Sequence, residues 1–282
     1  MTTEHIPKDL DPGEIVDGIT SIELEQQDGS SVEISFFTLR GDDVSEQARS
    51  LMSDIGFSFL DSLSPESYYS RFHSHKQNGD IEIKRQVNHF AGNSFHLETF
   101  AYNDTPRYTT TKDGKELELP EAIASVMPYV SLENDVGYKQ ADSSNPQIAE
   151  ISLTVADDSQ GRGIGFAITV FSILKAKDLG INYFYADILN NPASGHIFKK
   201  LVVMGILTYI NKGIDGGRYF RLNDNDNSRN HLLEEAINNS TSAKGDEAIE
   251  PTPDTVECNP QMLPRRERVA NFARIIFKKL RQ

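Results

Sequence analysis

Residues 150–189 constrain the fold more tightly than any other stretch of the chain. EISLTV (150–155) reads as a strand, VADDSQGRGIG (155–165) as a glycine-rich turn, and 166–179 as an apolar helix. A second strand is expected immediately after, at 183–189. Strand, turn, helix and strand in that order call for a sheet covered by helices, so residues 1–222 are expected to be α/β or α+β.

Within the turn, Gly161, Gly163 and Gly165 alternate just ahead of the helix. Glycine permits close approach of a ligand to the backbone, and the exposed N–H groups of a helix start favour anionic oxygens. Arg162 adds a positive charge. A P-loop requires Lys and Ser or Thr after its last glycine, whereas Phe166 and Ala167 stand there. A dinucleotide fingerprint starting at Gly161 requires glycine at the position of Phe166, although Asp187 sits where a ribose-binding acid would lie. A purely structural glycine turn remains the alternative to phosphate binding.

Elsewhere in the first 222 residues, strands are expected at 31–39, 81–87, 94–102 and 122–130, with a helical run over 42–52 and another over 196–204. The segment 103–119, NDTPRYTTTKDGKELEL, is turn-rich and reads as a long hairpin.

Gln160, Gly163 and Gly165 match position for position the Gln/Arg-x-x-Gly-x-Gly/Ala signature of the GNAT superfamily of N-acetyltransferases, which the chain resembles. AEISLTVADDSQGRGIGFAI (149–168) is similar to the branch holding bacterial protein-lysine acetyltransferases, and LSPESYYSRF (63–72) looks like a segment near the N-terminus of that branch. The resemblance covers roughly 31–220 and implies a GNAT fold: a mixed, mostly antiparallel central sheet, splayed between two parallel strands and flanked by helices. It further implies acetyl-CoA as donor, its pantetheine arm beside Leu153, Thr154 and Val155. The pyrophosphate would lie on the amides of Gln160, Gly161, Arg162, Gly163, Ile164 and Gly165, with a further contact from Asn191.

The activity so implied is transfer of an acetyl group to a primary amine, protein lysine ahead of a small amine, by direct attack with Glu150 as general base. An ammonium has no lone pair, so some group must take its proton, and burial among Ile148 and Ile151 would raise a carboxylate toward working pH. A solvated strand-end glutamate is the competing reading. A backbone N–H near Leu153 is expected to stabilise the oxyanion. Many GNAT members carry a general-acid tyrosine where this chain has Leu201, four residues before Gly205. That departure keeps alive a non-catalytic acetyl-CoA sensor or interaction module. Tyr68, Tyr69 and Phe72 fall on the acceptor side by the same resemblance, with core packing expected for at least two of them.

No metal site is expected, because His73 and His75 have no evident third ligand and His89 and His96 stand apart. Cys258, the only cysteine, excludes an intramolecular disulfide and a Cys-based metal site. The formal charge of -14 disfavours nucleic acid and suits a cationic acceptor. No apolar run approaches the ~20 residues a membrane helix needs, and the polar, acidic start lacks the pattern of a secretory signal. A cytoplasmic protein is therefore the expectation.

Four segments are expected: a tail over 1–17, the acetyltransferase domain over 18–222, an acidic flexible linker over 223–261, and a basic amphipathic helix over 262–282. The linker has nine acidic residues against two basic, and the last segment reverses this with seven basic against one acidic. There Val269, Phe272, Ala273, Ile276 and Leu280 share one helical face. Docking on the acidic domain, a homodimer contact, and attachment to a membrane surface or another protein are the open readings for that helix.

Overall fold

The computed structural model of the chain describes residues 15–26, 29–41, 43–72, 79–90, 95–111, 114–128, 148–188, 192–212 and 217–223. In chain order they form β1 (Ile15–Glu25), β2 (Ser31–Arg40), α1 (Glu46–Ser62), α2 (Pro65–Phe72), α3 (Gly79–Phe90), β3 (Leu97–Asn103), β4 (Arg107–Thr110), β5 (Glu116–Leu119), β6 (Ala122–Pro128), β7 (Ile148–Val155), α4 (Ile164–Asp178), β8 (Tyr183–Ala186), α5 (Pro192–Val203), β9 (Leu207–Lys212) and β10 (Arg218–Leu222). Eight strands make one sheet in the order β1-β2-β3-β6-β7-β8-β10-β9. Every neighbouring pair is antiparallel except β7 and β8, which run parallel.

Partnered residues on adjacent strands project to the same side of a sheet, so the register sorts side chains onto two faces. Phe37, Phe100 and Ile123 are aligned across β2, β3 and β6 and pack with α1, Tyr68 of α2, and Ile83 and Phe90 of α3. On the opposite face, Ala149 and Ile151 meet α4 and α5, and Leu153 and Val155 meet the first half of α4. Helix α4 is buried from Phe166 to Ala176, as its nearly unbroken apolar sequence requires. Two of its polar groups turn back onto their own helix, Thr169 Oγ1 to the Gly165 carbonyl at 2.7 Å and Ser172 Oγ to that of Ile168 at 2.8 Å.

The helix expected over 42–52 is α1, which starts later because Ser45 caps it, accepting from the Ala48 N–H at 3.1 Å. The hairpin expected in 103–119 is β4 and β5, a separate two-stranded sheet whose Leu117 and Leu119 pack on the α1 side. The strand expected over 81–87 is instead α3. Its IEI alternation is local, whereas Ile83, Val87 and Phe90 recur at i, i+4 and i+7 and supply a face for the α1 cluster, leaving Ile81 exposed. β1, β9 and β10 were not foreseen. β1 takes in Ile15, Val16 and Asp17 from the segment read as a tail, and a register shift between Val16 and Thr20 breaks the alternation that would have marked it.

Residues 1–14, His73 and His75, Asn191, the acidic segment from 224 to 261 and the basic segment 262–282 lie outside the described residues. No helix among those described is long and apolar enough to cross a membrane.

Candidate functional site

β7 and β8 pair over only three positions, Ile148 with Tyr183, Ala149 with Phe184 and Glu150 with Tyr185. β6 by contrast pairs with β7 from Ala149, opposite Pro128, to Val155, opposite Ala122. From Ile151 to Val155, then, the edge of β7 facing β8 has no ladder partner in β8. β8 itself ends at Ala186, while β7 runs on to Val155 and leads directly into the glycine turn.

The turn itself is tightly built. Asp157–Ser159 is one turn of 3-10 helix, and Gly161 and Gly163 follow with φ of 75° and 81°. Gly163 is the N-cap of α4, and its left-handed backbone is costly for a residue with a Cβ. The helix begins at Ile164, two residues before the expected start, so Ile164 and Gly165 lie inside its first turn. A Cβ on Gly165 would stand 3.2 Å from Val155 Cγ2 and 3.4 Å from both Leu153 Cδ2 and Ile197 Cδ1. Glycine here brings the start of α4 against both β7 and α5.

A strand–turn–helix unit beside a parallel pair of three residues, within a mixed, mostly antiparallel sheet flanked by helices, is the arrangement that the resemblance through Gln160, Gly163 and Gly165 implied. No protein-family model matches the sequence, and no curated protein matches it. Solved structures similar to the chain include the GNAT domain of S. lividans PAT, 19% identical with a TM-score of 0.41, over 71% of this chain and 94% of that one. A cAMP-binding acyltransferase from Mycobacterium smegmatis is 18% identical with a TM-score of 0.36, over 79% of this chain and 54% of that one, so the chain spans about half of its length. yncA from Salmonella typhimurium, in a structure with its cofactor acetyl-CoA, is 12% identical with a TM-score of 0.38, over 67% and 95%.

The sheet places the sequence-derived residues on two sides of β7. Leu153 and Val155 face α4, while Glu150, Ser152 and Thr154 share the face of α1 to α3, aligned with Met127, Ser125 and Ile123 of β6. Glu150 is half-buried at the last paired position of the β7–β8 ladder. Gln160 points its side chain away from the cradle, donating to Ser67 Oγ at 3.2 Å, Asp157 Oδ1 at 3.2 Å and the Val155 carbonyl at 3.4 Å. Arg162 donates through Nε to Gln26 Oε1 at 3.2 Å, beyond the end of β1. Leu201 is fully buried, so the position of the familiar tyrosine faces the core. Tyr68 is likewise buried and Tyr69 is 52% exposed, giving core packing for the first and an open surface for the second. Asp187 is exposed.

Other residues enter the site that sequence reasoning passed over. Tyr185, aligned with Glu150, is buried against Tyr219 at a ring separation of 5.1 Å. Gly217 makes room for it: a Cβ there would lie 2.2 Å from the Tyr185 ring. Gly217→Ala is expected to lower unfolding stability by about 1–3 kcal/mol through overpacking, measurable as a lower urea midpoint. Lys200 of α5 holds its ammonium 4.7 Å from the centroid of Phe166, in the first turn of α4, and burial lowers its pKa from the ordinary lysine value.

His96, expected to stand apart, is fully buried and bonds through Nε2 to Glu98 Oε1 at 3.1 Å. Ser125 Oγ reaches both oxygens of that carboxylate, at 2.8 and 2.7 Å. Among the described residues no group of three or more His, Cys, Asp or Glu could hold a metal ion. Glu121, also buried, accepts from Ser159 Oγ and lies 3.7 Å from Arg107 Nη1, which is 3.2 Å from Asp158 Oδ1. The β4–β5 hairpin is thereby tied to the start of the glycine turn.

Proposed function

We propose that the chain is an acetyl-CoA-dependent N-acetyltransferase that transfers acetyl directly to a primary amine. The observation that carries this reading is the coincidence of a parallel β7–β8 ladder that covers only Ile148 to Glu150, the N–H-rich start of α4 just beyond the end of β7, and Glu150 at the last position of that ladder. The edge of β7 beyond the ladder would take the amide-bearing pantetheine arm as a strand takes a neighbour, with Leu153, Thr154 and Val155 alongside. The amides from Gln160 to Gly165 would hold the pyrophosphate, and Lys200 adds positive potential beside them.

Glu150 and the α4-packed residues Leu153 and Val155 lie on opposite faces, so the amine would approach from the α1–α3 side while the donor comes from the α4 side. There Glu150 accepts the ammonium proton, directly or through water, and the free amine attacks the thioester carbonyl. The negative charge that develops on the carbonyl oxygen is stabilised by a backbone N–H near Leu153. Collapse forms the amide and expels the CoA sulfur, which takes the second proton of the attacking nitrogen directly or through water, since position 201 carries no hydroxyl to donate one. Protein lysine is the favoured acceptor: the resemblance of 63–72 and 149–168 supports it, and the acidic charge of the chain suits any cation.

The buried Leu201 favours a second reading, an acetyl-CoA-binding module without turnover. Thiol release from acetyl-CoA, with polyamines, amino sugars and lysine peptides as acceptors, separates the two. Acceptor-dependent release is expected. Cofactor binding with no acceptor-dependent release overturns the enzyme reading, and no cofactor binding overturns both.

A further inference from the structure

The two sequence segments that carried the resemblance, 63–72 and 149–168, are joined in space by one carboxylate. Asp157 Oδ2 accepts the Ser64 backbone N–H at 2.5 Å, just ahead of α2, and Oδ1 accepts the Ser67 hydroxyl in its first turn. Ser64 also caps α2 from within, its Oγ accepting the Ser67 N–H at 3.2 Å. Gln160, the first residue of the phosphate cradle, completes a triangle by donating to both Asp157 Oδ1 and Ser67 Oγ.

As a helix cap alone, Asp157 would be unremarkable: a negative charge at a helix start satisfies N–H groups that have no partner within the helix. The third corner changes what the carboxylate does. Gln160 is where the backbone turns from the 3-10 turn into the glycines, so fixing its side chain orients the first amide of the cradle. Asp157 is exposed, and bonds at such a position are individually weak and exchange readily with water. The first turn of α2 and the first residue of the cradle therefore share a support that water contests, and ordering one end lowers the cost of ordering the other.

We infer that Asp157 is a positioning residue that couples occupancy of the phosphate cradle to the order of α2. This rests on the cofactor reading above. Helix α2 packs on the Glu150 face through Tyr68 and leaves Tyr69 exposed beside it. The coupling makes the donor-binding turn and the acceptor-side wall one unit, and by reciprocity an acceptor that orders α2 tightens the hold on CoA.

Hydrogen exchange of the full chain with and without CoA tests this, using the wild type, Asp157→Ala and Ser67→Ala. In the wild type CoA should slow exchange across 160–165 and also across 64–72, the latter by about fivefold or more, the lower end of ordinary coupling between sites. In both variants 160–165 should still respond while 64–72 does not. If Asp157→Ala fails to fold, Ser67→Ala decides. A wild-type α2 indifferent to CoA, or one that responds equally in the variants, overturns the coupling and leaves the cofactor reading standing. A cradle that does not respond to CoA in the wild type overturns that reading and the coupling with it.

Discussion

Glu150→Gln is expected to lower the rate of acetyl transfer by about 10²–10⁴-fold, the usual contribution of a positioned general base, with CoA affinity unchanged. Glutamine keeps the size and shape of the side chain while removing its capacity to take a proton, and an unchanged urea midpoint for the variant separates a catalytic loss from a folding one. The pH profile adds a signature that a structural role would not give. As pH rises past the amine's own pKa, about 10.4 for lysine, the acceptor arrives without its extra proton and the difference between wild type and variant should narrow. Steady-state thiol release across pH, beside calorimetric titration of CoA, measures both quantities. Equal rates for the two proteins near neutral pH would remove Glu150 as base.

Gly165→Val should abolish the fit between α4 and β7. The first added carbon already meets Val155 at 3.2 Å and both Leu153 and Ile197 at 3.4 Å, and valine adds two methyl groups beyond it. The helix start must then back away from β7, carrying the amides of the turn out of line. A drop in CoA affinity of at least about tenfold, ~1.4 kcal/mol, is expected, with about 1–3 kcal/mol lost from stability. Gly195→Ala is the control. It lies in α5, where an added Cβ meets nothing within 4 Å, so the helix should gain about 0.5–1 kcal/mol with CoA binding intact. A Gly165→Val protein that binds CoA as the wild type does would show that the turn is structural.

The unit from 148 to 188 was legible in the sequence because its signals are local and agree. An apolar strand, glycines at alternate positions and an unbroken apolar helix leave few arrangements open, and the same residues carried the cofactor reading. α3 was misread because three residues of alternation outweighed a face that emerges only over Ile83, Val87 and Phe90. β9 and β10 sit at the far edge of the sheet, and β10 is recognisable only through its partners β8 and β9.

On the candidate site, Glu150 and the glycine turn could be named from sequence, while Tyr185, Lys200 and Asp157 could not. Tyr185 matters through a register, Lys200 through the packing of α5 beside α4, and Asp157 through a contact 93 residues away. None of these is a spacing within a motif. Asp157 had the nearest thing to a signal, since Ser64-Pro65-Glu66 has the pattern of a helix start in search of a negative charge.

The interior place of β7 in the sheet also bears on which other molecules can pair with its backbone. Unpaired strand backbone is ordinarily dangerous at the rim of a sheet, where a second molecule can add its own strand and begin a fibre. Here 151–155 lies in the middle of the eight-stranded order, with β6 on one side and the β8–β10–β9 group on the other. No rim of the sheet passes through β7, so a second folded sheet has no edge there on which to add a strand.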